Sequence, residues 1–370
     1  MRPRASIILV VYNGRPYLEG CLDSLQRTLP AGAEVIVVDN GSTDGSAAFV
    51  RARMPGARLR VNPTNRGFAA ACRQGAEEAR GDVLVFLNQD TRAESGWLEA
   101  LLEPFQDPSV GLTTPTILWM DDPERVQSCG QDVHYTGLVF ARCFGAPRTA
   151  LTDAVPTDVA AVSGAAFAIR REVWEELGGF SETFFMYYEE TDLSWRAQRA
   201  GYRCLHVPAS IVYHAGRLDR PSPLALYYSF RNRSLTVWRN WGGQTLLLLL
   251  PGLLLADLME WGLALSRGWP GLAAKARAMF WILGHGRTLR QLRAGARRTG
   301  GVGDGALLAA REWRLNPRVV TGGRLGRYLT AFGAALFYLN WRAALGKMGD
   351  LGAAASPPPP NPCTSLEEGG

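Results

Sequence analysis

Four short polar stretches hold the residues best suited to chemistry. Tyr12-Asn13-Gly14, Asp39-Asn40-Gly41-Ser42-Thr43-Asp44-Gly45 and Asn88-Gln89-Asp90-Thr91 each follow an apolar run, and Glu189-Glu190-Thr191-Asp192 packs three carboxylates into four residues. Asp90 offers the hard oxygen that a divalent cation takes. A carboxylate from the fourth stretch can accept the proton of a hydroxyl nucleophile. Displacement of a nucleoside diphosphate needs both functions, because charge develops on the leaving phosphate and a protonated hydroxyl is a poor nucleophile. Plainer readings exist. Asp-Asn-Gly-Ser is common turn sequence, and acidic residues at a helix start complement its dipole.

The elements that position these residues favour the chemical reading. Residues 6–11 (SIILVV), 34–38 (EVIVV), 58–61 and 83–87 (VLVFL) read as strands, and residues 17–28, 46–53 and 68–80 have helical spacing. Strands alternating with helices imply an α/β fold with a parallel sheet covered on both faces. Ligands of such sheets bind beyond the carboxyl ends of the strands. Val11, Tyr12 and Asn13, Asp39 and Asn40, and Asn88 and Asp90 all fall at such ends, where a nucleotide would sit. Further on, residues 95–105 and 191–200 read as helices and 211–213 as a strand, while 159–169 is a small-residue apolar segment broken at Ser163-Gly164.

The segments IILVVYNGRPYLEGCLDSL, EVIVVDNGSTDGS, NRGFAAACRQG and VFLNQDT, followed by VSGAAFAIRREVWEELGGFSETFFMYYEETDLSWRAQRAGYRCLHVPASIVYH, resemble the ordered motifs of family 2 glycosyltransferases. Within that family they are most similar to rhamnosyltransferase-like members that write NxD for DxD. The resemblance covers roughly residues 5–240. It implies the GT-A fold, a Rossmann-like, mostly parallel sheet flanked by helices, and an inverting transfer of a sugar, rhamnose by family likeness, from a nucleotide-sugar donor. It further implies that Asp39 meets the nucleobase, that Asn65 and Gly67 close over the nucleotide, and that Asp90 binds Mg²⁺ or Mn²⁺. Glu190 would be the general base within the acidic motif of Glu189, Glu190 and Asp192, and His214 would complete the metal site. Two departures stand out: Asn88 removes one anionic ligand, and Glu190 occupies a position more often Asp. A lone histidine after a strand, such as His214, also fits a purely structural role.

Charge divides the chain. Residues 266–350 carry 15 Lys/Arg against 3 Asp/Glu, whereas residues 1–265 carry 25 against 29. The apolar run 246–256, interrupted by Pro251, is shorter than the ~20 residues that cross a bilayer. With basic flanks on both sides, it is expected to lie on an anionic membrane surface rather than to span it. Residues 1–240 are therefore expected to form the catalytic domain, 241–350 a helical membrane-associated region, and 351–370, with Pro357–360, a disordered tail. Arg2 and Arg4 lead directly into a strand-like run, so no secretory leader is expected. The six scattered cysteines lack a CxxC pair and suit a reducing compartment. The catalytic part is thus placed at the cytoplasmic face of the membrane, with a glycan or lipid-linked acceptor of cell-surface polysaccharide assembly as partner.

Rival readings are weaker. A sugar-1-phosphate nucleotidyltransferase would need a glycine-rich loop after the first strand, where VYNGRPY has a single glycine. A catalytically inactive scaffold at the membrane surface is motivated by Asn88. Nucleic-acid binding has basic charge in its favour but no motif.

Overall fold

A computed structural model describes residues 4–151, 155–216, 221–296, 301–315 and 323–348. The expected tail, 351–370, lies outside them. The chain opens with β1 (Ala5–Val11), α1 (Arg15–Thr28), β2 (Ala33–Asp39), α2 (Ser46–Arg53), β3 (Arg58–Val61), α3 (Phe68–Glu78) and β4 (Val83–Asn88). β1 pairs in parallel with β2 and β4, and β2 with β3. Every residue of β1 is buried, as an uninterrupted apolar run in a parallel sheet requires. Its alternate side chains enter two cores. Ile7, Leu9 and Val11 join α1 residues such as Leu18 and Leu22 on one face, while Ile8 and Val10 meet Ala69, Ala71 and Cys72 of α3 on the other.

The sheet continues through β5 (Thr91–Ala93), α4 (Trp97–Leu102), β6 (Val110–Trp119), β7 (Val126–Ser128), the hairpin β8 (Gln131–Val133) and β9 (Val139–Ala141), β10 (Thr157–Asp158) and β11 (Ala166–Arg170). α5 (Arg171–Leu177), α6 (Glu189–Arg199) and β12 (Arg203–His214) complete it. The main sheet runs β10-β12-β6-β11-β4-β1-β2-β3. β11 is inserted antiparallel between β4 and β6, and β12 runs parallel to β6. The small-residue segment thus contains a central strand. Its Ala166 and Ala168 are fully buried in one core, and Phe167 and Ile169 in the other, as an interior strand covered on both faces requires.

The last third is helical: α7 (Pro223–Asn240), α8 (Gly243–Ser266), α9 (Gly268–Gly284), α10 (Gly286–Ala296), α11 (Asp304–Ala309) and α12 (Gly323–Met348). Here the sequence reading needs correction. The apolar helix is 24 residues long, not eleven, and by length and composition alone it is long and apolar enough to cross a membrane. Pro251 lies inside it without ending it; the next backbone N–H, at Gly252, donates to Asn340 Oδ1 of α12 at 3.2 Å. Asp257 and Glu260 do not end it either, since Lys275 of α9 pairs with both and Arg233 of α7 holds Glu260. α8 and α12 share a core with the β8–β9 region: Leu249, Ala256 and Phe337 pack with Val133, Tyr135 and Trp241.

Candidate active site

The turns after β1, β2 and β4 are bound to one another. Asn40 N donates to Val11 O at 2.6 Å. Asn13, at a left-handed φ of 48°, accepts from Thr43 N at 2.9 Å, and its own N–H donates to Ser42 Oγ at 3.0 Å. The Gln89 amide forms a two-bond clasp on the Tyr12 backbone, at 2.9 and 3.1 Å. Asn40 also ties down the following loop, donating to Asn65 Oδ1 and Gly67 O while accepting from Asn62 Nδ2 and Arg66 N. Each turn is thereby held by side chains from another, which is how polar turn sequence becomes a rigid site.

These turns border a cleft of about 250 Å³ lined by Val10, Tyr12, Asn40, Asn65, Gly67, Phe68, Asn88, Gln89, Asp90, Phe185 and Met186. Six residues expected at the nucleotide, Tyr12, Asn40, Asn65, Gly67, Asn88 and Asp90, are among them. Asn13 and Asp39 stand behind the lining. Asp39 is fully buried, with Oδ1 accepting from Ser42 N at 2.9 Å and Oδ2 lacking a partner among the described residues. An orphaned buried carboxylate oxygen is costly and marks a place where a ligand N–H would be welcome. Val11 departs from expectation. Its side chain belongs to the core and its carbonyl is taken by Asn40, so it supports the site without facing it.

Asp90 and His214 come together from distant parts of the chain. β12 pairs antiparallel with β5, setting His214 opposite Thr91, and Ala215 N donates to Asp90 O at 2.9 Å. His214 Nε2 lies 3.3 Å from Asp90 Oδ1, and its Nδ1 lies 2.7 Å from Gln127 Oε1. An amide oxygen only accepts, so Nδ1 carries a proton there. Nε2 then either shares a proton with Asp90 or turns a lone pair toward a cation held jointly with it. Burial raises the Asp90 pKa, but the hydrogen bond and charge of His214 outweigh it and the net direction is down. Among the described residues no group of three His, Cys, Asp or Glu side chains converges on a metal position. A cation here would take two protein ligands, one oxygen and one nitrogen, and complete its shell from phosphate oxygens and water. The pair suits Mg²⁺ or Mn²⁺ in that open arrangement.

The opposite wall is a strained turn. Phe185, Tyr187 and Tyr188 all have positive φ, at 64°, 67° and 71°, a conformation that bulky residues adopt only when surroundings impose it. Asn232 of α7 imposes it. Its amide donates to Phe184 O, Met186 O and Tyr187 O, each at 2.8 Å, while Arg231 binds Thr183 O and Phe184 O. The Phe185 ring stacks on Tyr228 at 5.0 Å. On its other side is Gly67, at φ +87°, where a Cβ would fall 2.6 Å from that ring. Sequence reasoning missed these roles of Arg231 and Asn232; the signal was the polar run Arg231-Asn232-Arg233-Ser234 following the aromatics of YYSF.

This turn leads into α6, whose first residues are Glu189 and Glu190, both buried. Glu190 Oε1 accepts from Gln131 Nε2 at 2.9 Å, and Thr191 Oγ1 donates to Gln131 Oε1 at 2.9 Å. A Cβ on Gly164 would stand 3.4 Å from the Glu190 carboxyl carbon. The next residue, Ala165, accepts from Asn88 N at 3.0 Å. The Ser163-Gly164 break therefore makes room for the Glu190 carboxylate a few residues from the cleft. Burial pushes the Glu190 pKa up, with the Gln131 and Thr191 contacts opposing it; burial and the neighbouring Glu190 push Glu189 well up. Glu189 Oε2 has no partner among the described residues.

Asp192, expected with the catalytic carboxylates, has another place. It is fully buried, and Arg196 Nε (2.9 Å), Arg239 Nη1 (2.7 Å) and Asn240 Nδ2 (3.1 Å) bind its two oxygens. It clamps α6 to α7, and two residues of helix set it on roughly the opposite side from Glu190. His134 and His206 are also structural. Burial holds both pKa values down to about 3, and they bond Thr136 and Thr116 respectively.

Residues 6–178 match the family model described as Glycosyl transferase family 2. The chain is 29% identical over 230 residues to an N-acetylglucosaminyl-diphospho-decaprenol L-rhamnosyltransferase of Mycobacterium tuberculosis (strain ATCC 25618 / H37Rv), covering 56% of this chain and 75% of the relative. It is 31% identical over 214 residues to a pre-mycofactocin glycosyltransferase of the same organism, covering 57% of this chain and 43% of that one. Among solved structures, GalNAc-T7 with UDP, GalNAc and Mn²⁺ superposes with a TM-score of 0.56 at 21% identity, over 70% of this chain and 51% of that chain. The matched residues span the strand ends, the Asn88–Asp90 turn and the Gly164 break, so residues 6–178 carry the glycosyltransferase family 2 pattern, in a chain with the GT-A fold.

Proposed function

We propose that this glycosyltransferase inverts the anomeric centre of a nucleotide-diphosphate sugar, rhamnose by preference, as it moves the sugar to a hydroxyl of a glycan or lipid-linked acceptor. The observation that carries the reading is the facing pair Asp90 Oδ1 and His214 Nε2, with Gln127 fixing the imidazole, at the mouth of a cleft built from strand ends. Asp90 and His214 would hold Mg²⁺ or Mn²⁺, which when bound offsets charge on the leaving diphosphate. Asp39 Oδ2, buried and unpartnered, accepts an N–H of the nucleobase. Asn65 and Gly67 on one side, and Phe185 and Met186 on the other, enclose the nucleotide.

Glu190 takes the acceptor proton. As the hydroxyl oxygen bonds to the anomeric carbon from the face opposite the diphosphate, the anomeric carbon–phosphate oxygen bond breaks and the proton passes to the Glu190 carboxylate. Burial raises its pKa, which makes the ionised form a stronger base. Gln131 and Thr191 orient it. Glu189, also raised by burial and by Glu190, forms a carboxylate pair with it.

The mycobacterial rhamnosyltransferase relative is named for a diphospho-decaprenol-linked substrate. That name, together with the apolar α8, motivates an acceptor at the cytoplasmic face of a membrane and a role in cell-surface polysaccharide assembly. Residues 1–240 form the catalytic domain in this reading and 241–350 its membrane-associated region. A panel of UDP-, GDP- and dTDP-sugars with Mg²⁺ or Mn²⁺, scored by thermal shift and hydrolysis, tests it. A dTDP-sugar stabilised and hydrolysed only with metal is expected, and no response to any donor would overturn it.

A further inference from the structure

The exposed apolar side chains of this protein collect in its last third. α8 divides into two stripes. Thr245, Leu249, Gly252, Ala256, Glu260 and Ala264 recur every three or four residues and are buried, while Leu247, Leu250, Leu254, Leu258 and Leu265 are exposed. α9 repeats the division with Trp269, Phe280 and Leu283 exposed, and α12 with Leu336 and Leu339. α8 packs against both α9 and α12, so these stripes lie on neighbouring helices. An uncovered apolar surface of this extent needs an occupant.

Charge selects it. α9, α10 and α12 contain no Asp or Glu, and the two acidic residues of α8 are paired with Lys275 and Arg233. Arg277, Arg287 and Arg290 are exposed beside the stripes. A second copy of the chain would bring like charges together, whereas anionic lipid headgroups complement them.

By length and composition α8 is able to cross a bilayer, but its covered stripe argues against crossing. Thr245 Oγ1 donates to Asp304 Oδ2 at 2.5 Å, Gly252 N to Asn340 Oδ1 at 3.2 Å, and Glu260 takes Arg233 at 2.5 and 2.9 Å. Arg233 in turn donates to Thr136 O at 2.9 Å. These ties are spread over about 22 Å of helix. To span, α8 would have to break them and carry Glu260 into hydrocarbon without its partner.

We propose that α8, α9 and α12 form one lipid-immersed face that lies in the plane of an anionic bilayer and does not cross it. Leu247, Leu254, Leu258, Trp269 and Phe280 enter the acyl boundary, and Arg277, Arg287 and Arg290 meet the headgroups. The proposal deepens the membrane-side reading given above, on which it rests for the acceptor's location.

The test uses the full chain and sedimenting vesicles of phosphatidylcholine, with or without roughly one-third phosphatidylglycerol. Wild type should bind the anionic vesicles, and L254E/L258E/F280E should bind about tenfold or more weakly while keeping the wild-type circular dichroism spectrum. R287Q/R290Q should lose the preference for phosphatidylglycerol. Cysteines placed at Gln244 and Ser266, one near each end of α8, should both react with an impermeant thiol reagent added outside. Wild type that stays with the supernatant of both vesicle types would overturn the proposal. So would dimerisation abolished by L254E/L258E/F280E in the absence of lipid binding, or labelling of one α8 end alone. Metal-dependent donor hydrolysis should be unchanged in L254E/L258E/F280E, so a failed membrane face and a failed transferase reading give separate results.

Discussion

His214 Nε2 stands 3.3 Å from Asp90 Oδ1, although 124 positions of sequence separate them. Pairing of β12 with β5 brings them together, and Gln127 decides which imidazole nitrogen faces the carboxylate. Gln127→Leu leaves Nδ1 without its acceptor and frees the tautomer. Mn²⁺ affinity, measured by titration in the presence of nucleoside diphosphate, should fall about 10–100-fold. An unchanged affinity would show that Gln127 does not set the imidazole.

Glu190→Gln keeps the shape and the Gln131 contact but removes the carboxylate proposed as the base. The turnover number should fall about 10²–10⁴-fold, with donor binding by thermal shift and the unfolding temperature close to wild type. Transfer at the wild-type rate would assign the proton to another group.

Asn232→Leu takes the side-chain donor from Met186 O and Tyr187 O of the positive-φ turn, while Phe184 O keeps Arg231. A cost of about 2–4 kcal/mol in chemical denaturation follows from such orphaned groups. Because Phe185 and Met186 line the cleft on that turn, the donor KM should rise as well. A change in stability without any change in KM would confine Asn232 to structural support.

Glu189 gives a pH signature. Its pKa is raised well above the usual value of 4.5, by burial and then by Glu190. A raised folded-state pKa means the native state holds the proton more tightly than the unfolded chain. Stability is therefore fully present below about 4.5 and declines as pH climbs toward the folded-state value. Glu189→Gln, which cannot ionise, should flatten that decline in urea denaturation between pH 5 and pH 8 (~0.5 or more of the slope removed). A wild-type slope in this variant would contradict the burial of an uncompensated carboxylate.

The parts of the fold legible in the sequence are those where a single physical signal dominates. β1, β2 and β4 are buried apolar runs, and the helix at Ser46–Arg53 is framed by turn residues on both sides, so their limits agree with the structure to within a residue or two. β6 was not legible. VGLTTPTILW mixes three threonines with Pro115, and its strand character comes from neighbours β11 and β12 rather than from its own pattern. β11 was hidden likewise by alanines, which carry little strand preference. At the site, residues on strand ends were legible because the topology puts them together. The roles of Gln127, Gln131 and Asn232 were not, since each acts across 45 or more residues through one side-chain contact. Asp192 was misplaced for the converse reason: its spacing resembled that of its acidic neighbours, and only the burial of Arg196 and Arg239 distinguishes it.

The most direct measurement is nucleotide-sugar turnover by wild type and Asp90→Ala, each with Mn²⁺ and with chelator. Wild type should turn over donor with metal and fall to background with chelator, while Asp90→Ala should be slower by about 10²–10³-fold and indifferent to metal. Equal, metal-responsive turnover by both proteins would contradict a transferase centred on Asp90 and His214.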